Sequence, residues 1–105
     1  MMSRIVHVPK GFEYHDLQRI ELVVVYNHYG RPPNKKYEFC VERFRTTYQF
    51  LLRLIALKLK VDPRCFDVKL NGWQEVIYLR HTIPDRRFVS IYFITNDRYR
   101  RVRSV

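Results

Sequence analysis

The chain has 105 residues, enough for one domain, and 47% of them are hydrophobic and 15% aromatic, which excludes global disorder. Its 20 Lys and Arg against 10 Asp and Glu leave a formal charge of +10, a surface suited to nucleic acid, acidic protein segments or anionic lipid, or simply to solubility. No apolar run approaches the roughly 20 residues of a membrane span, and two cysteines without a CxxC exclude a disulfide scaffold.

Residues 1–17 are weakly patterned and read as an extended arm, with Val6, Val8 and Phe12 able to pack down. They contain no apolar stretch ending in small residues, so no secretory signal is expected. Arg19 to Tyr26 is the clearest strand. Ile20, Leu22, Val24 and Tyr26 share one face, and Arg19, Glu21, Val23 and Val25 the other. Gly30, Pro32 and Pro33 interrupt it with a turn. Lys36 to Phe44 resumes the alternation, with Tyr37, Phe39 and Val41 opposite Glu38, Cys40 and Glu42, so the two strands predict an antiparallel hairpin.

Thr46 to Val61 predicts the one strong helix. Either Thr46 or Thr47 can supply the N-cap oxygen. Pro63 disfavours helical geometry at Asp62 and ends the element. At about 100° per residue, Tyr48, Leu51, Leu52, Ile55 and Leu59 form one apolar stripe. Phe50, Leu54, Leu57 and Val61 form a second, nearly opposite. Gln49, Arg53 and Lys60 make a narrow polar flank, with Lys58 on the other side. A lone helix on a sheet needs one apolar stripe, so the second wants a cover: the N-terminal arm or another protein.

Phe66 to Leu70 alternates again, and Asn71-Gly72 is the strongest hairpin signal in the chain, which predicts a return strand from Trp73 to Leu79. Arg80 to Arg87 reads as a polar loop. Phe88 to Ile94 is apolar on both faces, as a central strand should be. Arg98 to Val105 reads as a basic tail. Strand, strand, helix, strand, strand, strand is the β-grasp, or ubiquitin-like, order, an α+β fold with a mixed sheet of four to five strands on one helix. The expected organisation is an arm at 1–17, a ubiquitin-like domain at 18–95 and a basic tail at 96–105. A ferredoxin-like fold would need a second helix, for which 80–87 is too short and too polar.

Catalytic chemistry finds no purchase. His7, His15, His28 and His81 are scattered, and none stands at metal-ligand spacing to another His or to Cys40 or Cys65. The only glycines are Gly11, Gly30 and Gly72, so there is no phosphate-cradling loop. No serine nucleophile elbow and no paired carboxylates are present. Cys40 sits mid-strand and Cys65 beside Phe66, where packing is the default role. The expectation is a non-enzyme with no metal, no cofactor and no small-molecule substrate. The sequence ends Arg103-Ser104-Val105 and not in a diglycine, so a domain that binds, and is not conjugated, is expected.

Several residues from the second strand onward resemble the RAWUL domain, the ubiquitin-like module of Polycomb-group RING-finger proteins. They are Lys36-Tyr37 with Cys40, Leu51-Leu52 and Ile55, Lys58-Leu59, the Val61-Asp62-Pro63 turn, Phe66 to Leu70, Val89 to Phe93 and the basic tail. The resemblance implies an adaptor that recruits proteins through its sheet and helix surface, often by pairing an exposed strand with a partner segment. Two cysteines cannot build the zinc-binding RING that accompanies the module in that family.

Three surfaces follow as candidates. The first is the outer helix stripe, Phe50, Leu54 and Leu57, rimmed by Arg53 and Lys60. The second is an exposed sheet edge, expected at Trp73 to Leu79 with Trp73 as core residue or anchor. The third serves the alternative function, RNA or DNA binding. Arg98, Arg100, Arg101 and Arg103 would hold phosphates while Tyr99 stacks on a base, and Lys35, Lys36, Arg43 and Arg45 would extend the track. The leading expectation is a non-catalytic protein-interaction module, an adaptor or subunit of an intracellular complex, nuclear more than cytoplasmic. Its partner is another protein, and self-association through the helix stripe fits the sequence equally. No membrane partner is expected.

Overall fold

The computed structural model describes residues 17–27, 32–72 and 74–99. They form β1 (Leu17–Val25), β2 (Lys35–Glu42), α1 (Tyr48–Leu59), a 3₁₀ turn at Pro63–Cys65, β3 (Phe66–Leu70) and β4 (Phe88–Thr95). The four strands make one mixed sheet in the order β2-β1-β4-β3. β1 runs antiparallel to β2 and parallel to β4, and β3 is antiparallel to β4. The molecule is thus a small α+β domain with one main helix on a four-stranded sheet.

Period-two alternation puts one row of each strand under the helix. The register aligns Ile20 with Phe39 and Val89, Leu22 with Tyr37 and Ile91, and Val24 with Phe93. Onto this row α1 presses Tyr48, Leu51, Leu52, Ile55 and Ala56, all buried. Burying each large aliphatic side chain stabilises the fold by about 1.5–3 kcal/mol. The opposite sheet face is not polar either: Val23 is buried, and Val25, Tyr92 and Ile94 are half-buried.

Both helix ends are closed by identifiable groups. Thr47 is the N-cap, its Oγ1 accepting from the Phe50 N–H at 3.2 Å. The C-terminus comes earlier than Pro63 predicts. Lys60 adopts the left-handed conformation at φ 58°, and its N–H bonds Leu57 O at 3.2 Å while the Val61 N–H bonds Ala56 O at 3.0 Å. This is a Schellman closure, for which glycine is the usual residue, so Lys60 carries no sequence signal of it. Pro63 opens the 3₁₀ turn instead.

The segment after β3 departs from expectation. No strand forms at residues 74–79, and Trp73 lies outside the described residues. A two-residue Asn-Gly hairpin needs positive φ at both positions, but among the described residues near this turn only Gly72 has it, at φ 73°. The chain therefore leaves the sheet and runs to the start of the helix. There Leu79 O accepts from the Gln49 N–H at 2.8 Å and His81 O from the Tyr48 N–H at 3.1 Å. Thr47 bridges Thr82, the Ile83 N–H bonds Thr46 O at 2.9 Å, and Ile83 is buried. The first-turn donors of a helix have no partners within it, and this connection supplies them. β3 consequently stays an edge strand.

Tyr99 also differs from expectation. It is 7% exposed, with ring centroids 5.7 Å from Tyr26 and 6.4 Å from Phe66. Asn96 anchors this end: its N–H bonds Cys65 O at 2.9 Å, its Nδ2 bonds Arg64 O at 2.9 Å, and its Oδ1 accepts from the Arg98 N–H at 3.0 Å. Tyr99 is a core residue and not a ring held ready for a base.

Chemical denaturation should show Ile55→Ala destabilised by about 2–5 kcal/mol, the usual cost of truncating a fully buried aliphatic side chain. Tyr99→Ala should cost about 3 kcal/mol, whereas Arg98→Ala on the exposed side of the same turn should stay within about 0.5 kcal/mol of wild type.

Candidate interaction surfaces

The outer helix stripe is graded in its exposure. Phe50 and Leu54 are half-buried against the core, whereas Leu57 is 78% exposed. Arg53 and Lys60 are both exposed beside it, as expected of a polar rim. Whether the arm covers this stripe with Val6, Val8 or Phe12 lies outside the described residues.

Lys58, in the last turn of α1, also meets aromatic faces. Its Nζ sits 5.4 Å from the Tyr37 ring centroid and 5.9 Å from that of Phe39, and the two rings stack at 6.4 Å. A cation over aromatic faces is worth about 0.5–1 kcal/mol at exposed sites. The contact ties the last helical turn, next to Leu57, to β2. That strand is one outer edge of the sheet, so among the described residues its outward backbone groups have no strand beside them. The two edges are β2 and β3, in place of the expected 73–79 segment.

That segment instead adds apolar surface along the helix start. Val76 and Tyr78 are exposed, with Arg80 lying 5.3 Å over the Tyr78 ring and His81 5.3 Å from it. Leu79 lines a cleft with Gln49, Leu52, Arg53 and Arg64. Sequence reasoning missed these residues because it placed them in a strand. Burial pushes the Tyr48 phenol above its ordinary range, with Arg86 pulling it back.

The basic residues are dispersed. Lys35 and Lys36 are exposed at the start of β2. Arg43 is bonded to Asp85 through both carboxylate oxygens, at 2.7 and 2.9 Å from Nη2, with Nε at 3.0 Å. Arg45 reaches Glu42 at 4.0 Å. Arg98 belongs to the turn that buries Tyr99. Arg100, Arg101 and Arg103 lie outside the described residues. No continuous track joining these groups is formed by the described residues.

Among the described residues no three His, Cys, Asp or Glu side chains gather as a metal-binding group, and no helix is long and apolar enough to cross a membrane. No family model and no curated protein matches the sequence.

The Val61-Asp62-Pro63 turn contains the clearest titrating group. Asp62 Oδ1 accepts from the Arg64 N–H at 2.8 Å, and Oδ2 accepts from Arg64 Nη2 at 2.9 Å. These bonds lower the Asp62 carboxyl from 3.8 to about 2. Because the folded value is depressed, the contribution of this cap is present above about pH 4 and lost as pH falls through about 2. NMR titration of Arg64→Ala should move the Asp62 midpoint up toward the ordinary carboxylate range.

Proposed function

We propose that the chain is a non-catalytic β-grasp interaction module, an adaptor or subunit that binds a partner protein. The element order and the sheet order β2-β1-β4-β3 support the β-grasp reading. They are also compatible with the RAWUL-like resemblance, which supplies the adaptor role and a nuclear setting. The observation that carries the reading is Leu57. Leu57 is 78% exposed in the last turn of α1, and it carries weight as the open end of an apolar stripe, since contiguous apolar surface and not a single exposed leucine marks a docking site. Half-buried Phe50 and Leu54 extend it into a stripe, Arg53 and Lys60 rim it, and Lys58 joins it to the β2 edge. An apolar centre with a basic rim suits a groove-binding partner carrying acidic flanks.

The nucleic-acid alternative keeps the charge of +10 in its favour. It loses support from the burial of Tyr99 and the engagement of Arg43 and Arg45 with carboxylates.

Leu57→Asp is the cleaner probe, because Leu54 also packs on the core. The variant should keep the wild-type circular-dichroism spectrum and lose its protein partner in a nuclease-treated pull-down. Unchanged partner recovery would overturn the helix-stripe reading. Recovery that vanishes with nuclease would favour nucleic acid.

A further inference from the structure

The edge of the sheet at β3 is open in its backbone. The Asn71 N–H bonds Ser90 O at 3.1 Å, and Cys65 O accepts from the Asn96 N–H at 2.9 Å. Peptide groups of a strand alternate between its two sides. Residues 65, 67, 69 and 71 therefore face β4, and Phe66, Val68 and Leu70 turn their peptide groups to the edge. Pro63 O takes the Phe66 N–H. The Phe66 carbonyl and both groups of Val68 and Leu70 meet no hydrogen-bond partner among the described residues. The connection that follows β3 does not occupy them, since the backbone bonds it makes outside itself go to Thr46, Tyr48 and Gln49. Such an edge is a template for a further strand.

Side-chain order decides which strand fits. β3 reads Phe66-Asp67-Val68-Lys69-Leu70: apolar, acid, apolar, base, apolar. Phe66, Val68 and Leu70 lie on the helix side, and Asp67 and Lys69 are exposed on the other. Asp67 accepts a 3.3 Å bond from Asn96 Nδ2, and among the described residues Lys69 is in no ion pair. With an antiparallel second copy placed so that Val68 opposes Val68, Asp67 faces Lys69 on both sides of the two-fold axis, and Phe66 faces Leu70. The edge-facing groups of the two copies then meet. Asp67 and Lys69 fall at the non-hydrogen-bonded positions, where side chains approach most closely. The next register on either side sets Asp67 against Asp67 or Lys69 against Lys69. Like charges directly opposite are destabilising, so charge selects one register. A foreign peptide would need this same order of residues, whereas a second copy carries it already. The contact is isologous and closes on itself.

We propose that β3 is a self-association edge, at which two copies of the chain pair antiparallel with Val68 on the axis and an Asp67–Lys69 pair to either side. Little apolar area beyond half-buried Val68 is gained, so the dimer is a weak one that depends on concentration. The proposal does not rest on the adaptor reading, because it engages none of Phe50, Leu54 or Leu57.

Sedimentation equilibrium on the purified full chain tests it. The mass should climb with concentration from 13.0 kDa toward twice that value. Asp67→Lys and Lys69→Glu each set like charges opposite one another twice, and each should raise the dimer dissociation constant about tenfold. An equimolar mixture of these two variants should dimerise as wild type does, because every facing pair is again of opposite charge. The double variant should do the same. Both positions are exposed, so all of these proteins should keep the wild-type circular-dichroism spectrum. Leu57→Asp should dimerise as wild type does, which separates failure of the helix-stripe reading from failure of this one. A chain that stays monomeric at every concentration would overturn the proposal. So would single variants that dimerise as wild type does, a mixture that does not recover, or a dimer lost with Leu57→Asp, which would move the contact to the helix stripe.

Discussion

A helix that begins against a sheet must find acceptors for its first four N–H groups, and much of this molecule follows from how α1 meets that demand. The Thr47 side chain accepts from the Phe50 N–H, and its carbonyl closes the first in-helix bond, from the Leu51 N–H at 3.3 Å. Two further end donors, on Tyr48 and Gln49, are taken by His81 O and Leu79 O. Once the connection is committed to the helix start, it cannot also extend the sheet beyond β3. The same commitment brings Ile83 into the core and carries Pro84 to Gln18. It also delivers Asp85, Arg86 and Arg87 to a cavity of about 420 Å³ that Arg19 and Arg43 also line.

The helix stripe and the arginine-lined cavity therefore have a common structural origin. The stripe containing Leu57 is what remains of an amphipathic helix after its inner face is spent on the sheet. The arginine cavity is where the connection lands after passing the helix. One surface is apolar and open, and the other is charged and concave.

Where periodicity governs, the sequence was readable. β1, β2, β3 and β4 each alternate, and the inner stripe of α1 repeats at helical spacing, so element types, the hairpin and the candidate stripe could be read directly. Three features escaped for physical reasons. Residues 74–81 are held by backbone carbonyls, which every residue type possesses. Lys60 takes a left-handed cap that its side chain does not advertise. Tyr99 belongs to the core because Asn96 turns the chain back onto Cys65 and Arg64, a tertiary contact invisible in a run of arginines. The cavity was hidden by separation along the chain, since Arg19 and Arg87 meet only after β1 and β4 pair. The one local hint was Asp85-Arg86-Arg87 directly before an apolar strand.

The central pairing in the sheet joins the first described strand to the last, side by side and in the same direction. Every other strand attaches to one of these two. Parallel pairing of distant segments requires closing a long loop before any reward is gained, which slows folding. During synthesis β1, β2 and α1 all emerge before β4, so the row of Ile20, Leu22 and Val24 can meet the helix while β1 still lacks its parallel neighbour. The sheet is joined only when β4 inserts between β1 and β3, so a truncation that removes β1 or β4 leaves the remaining strands in two separate pieces.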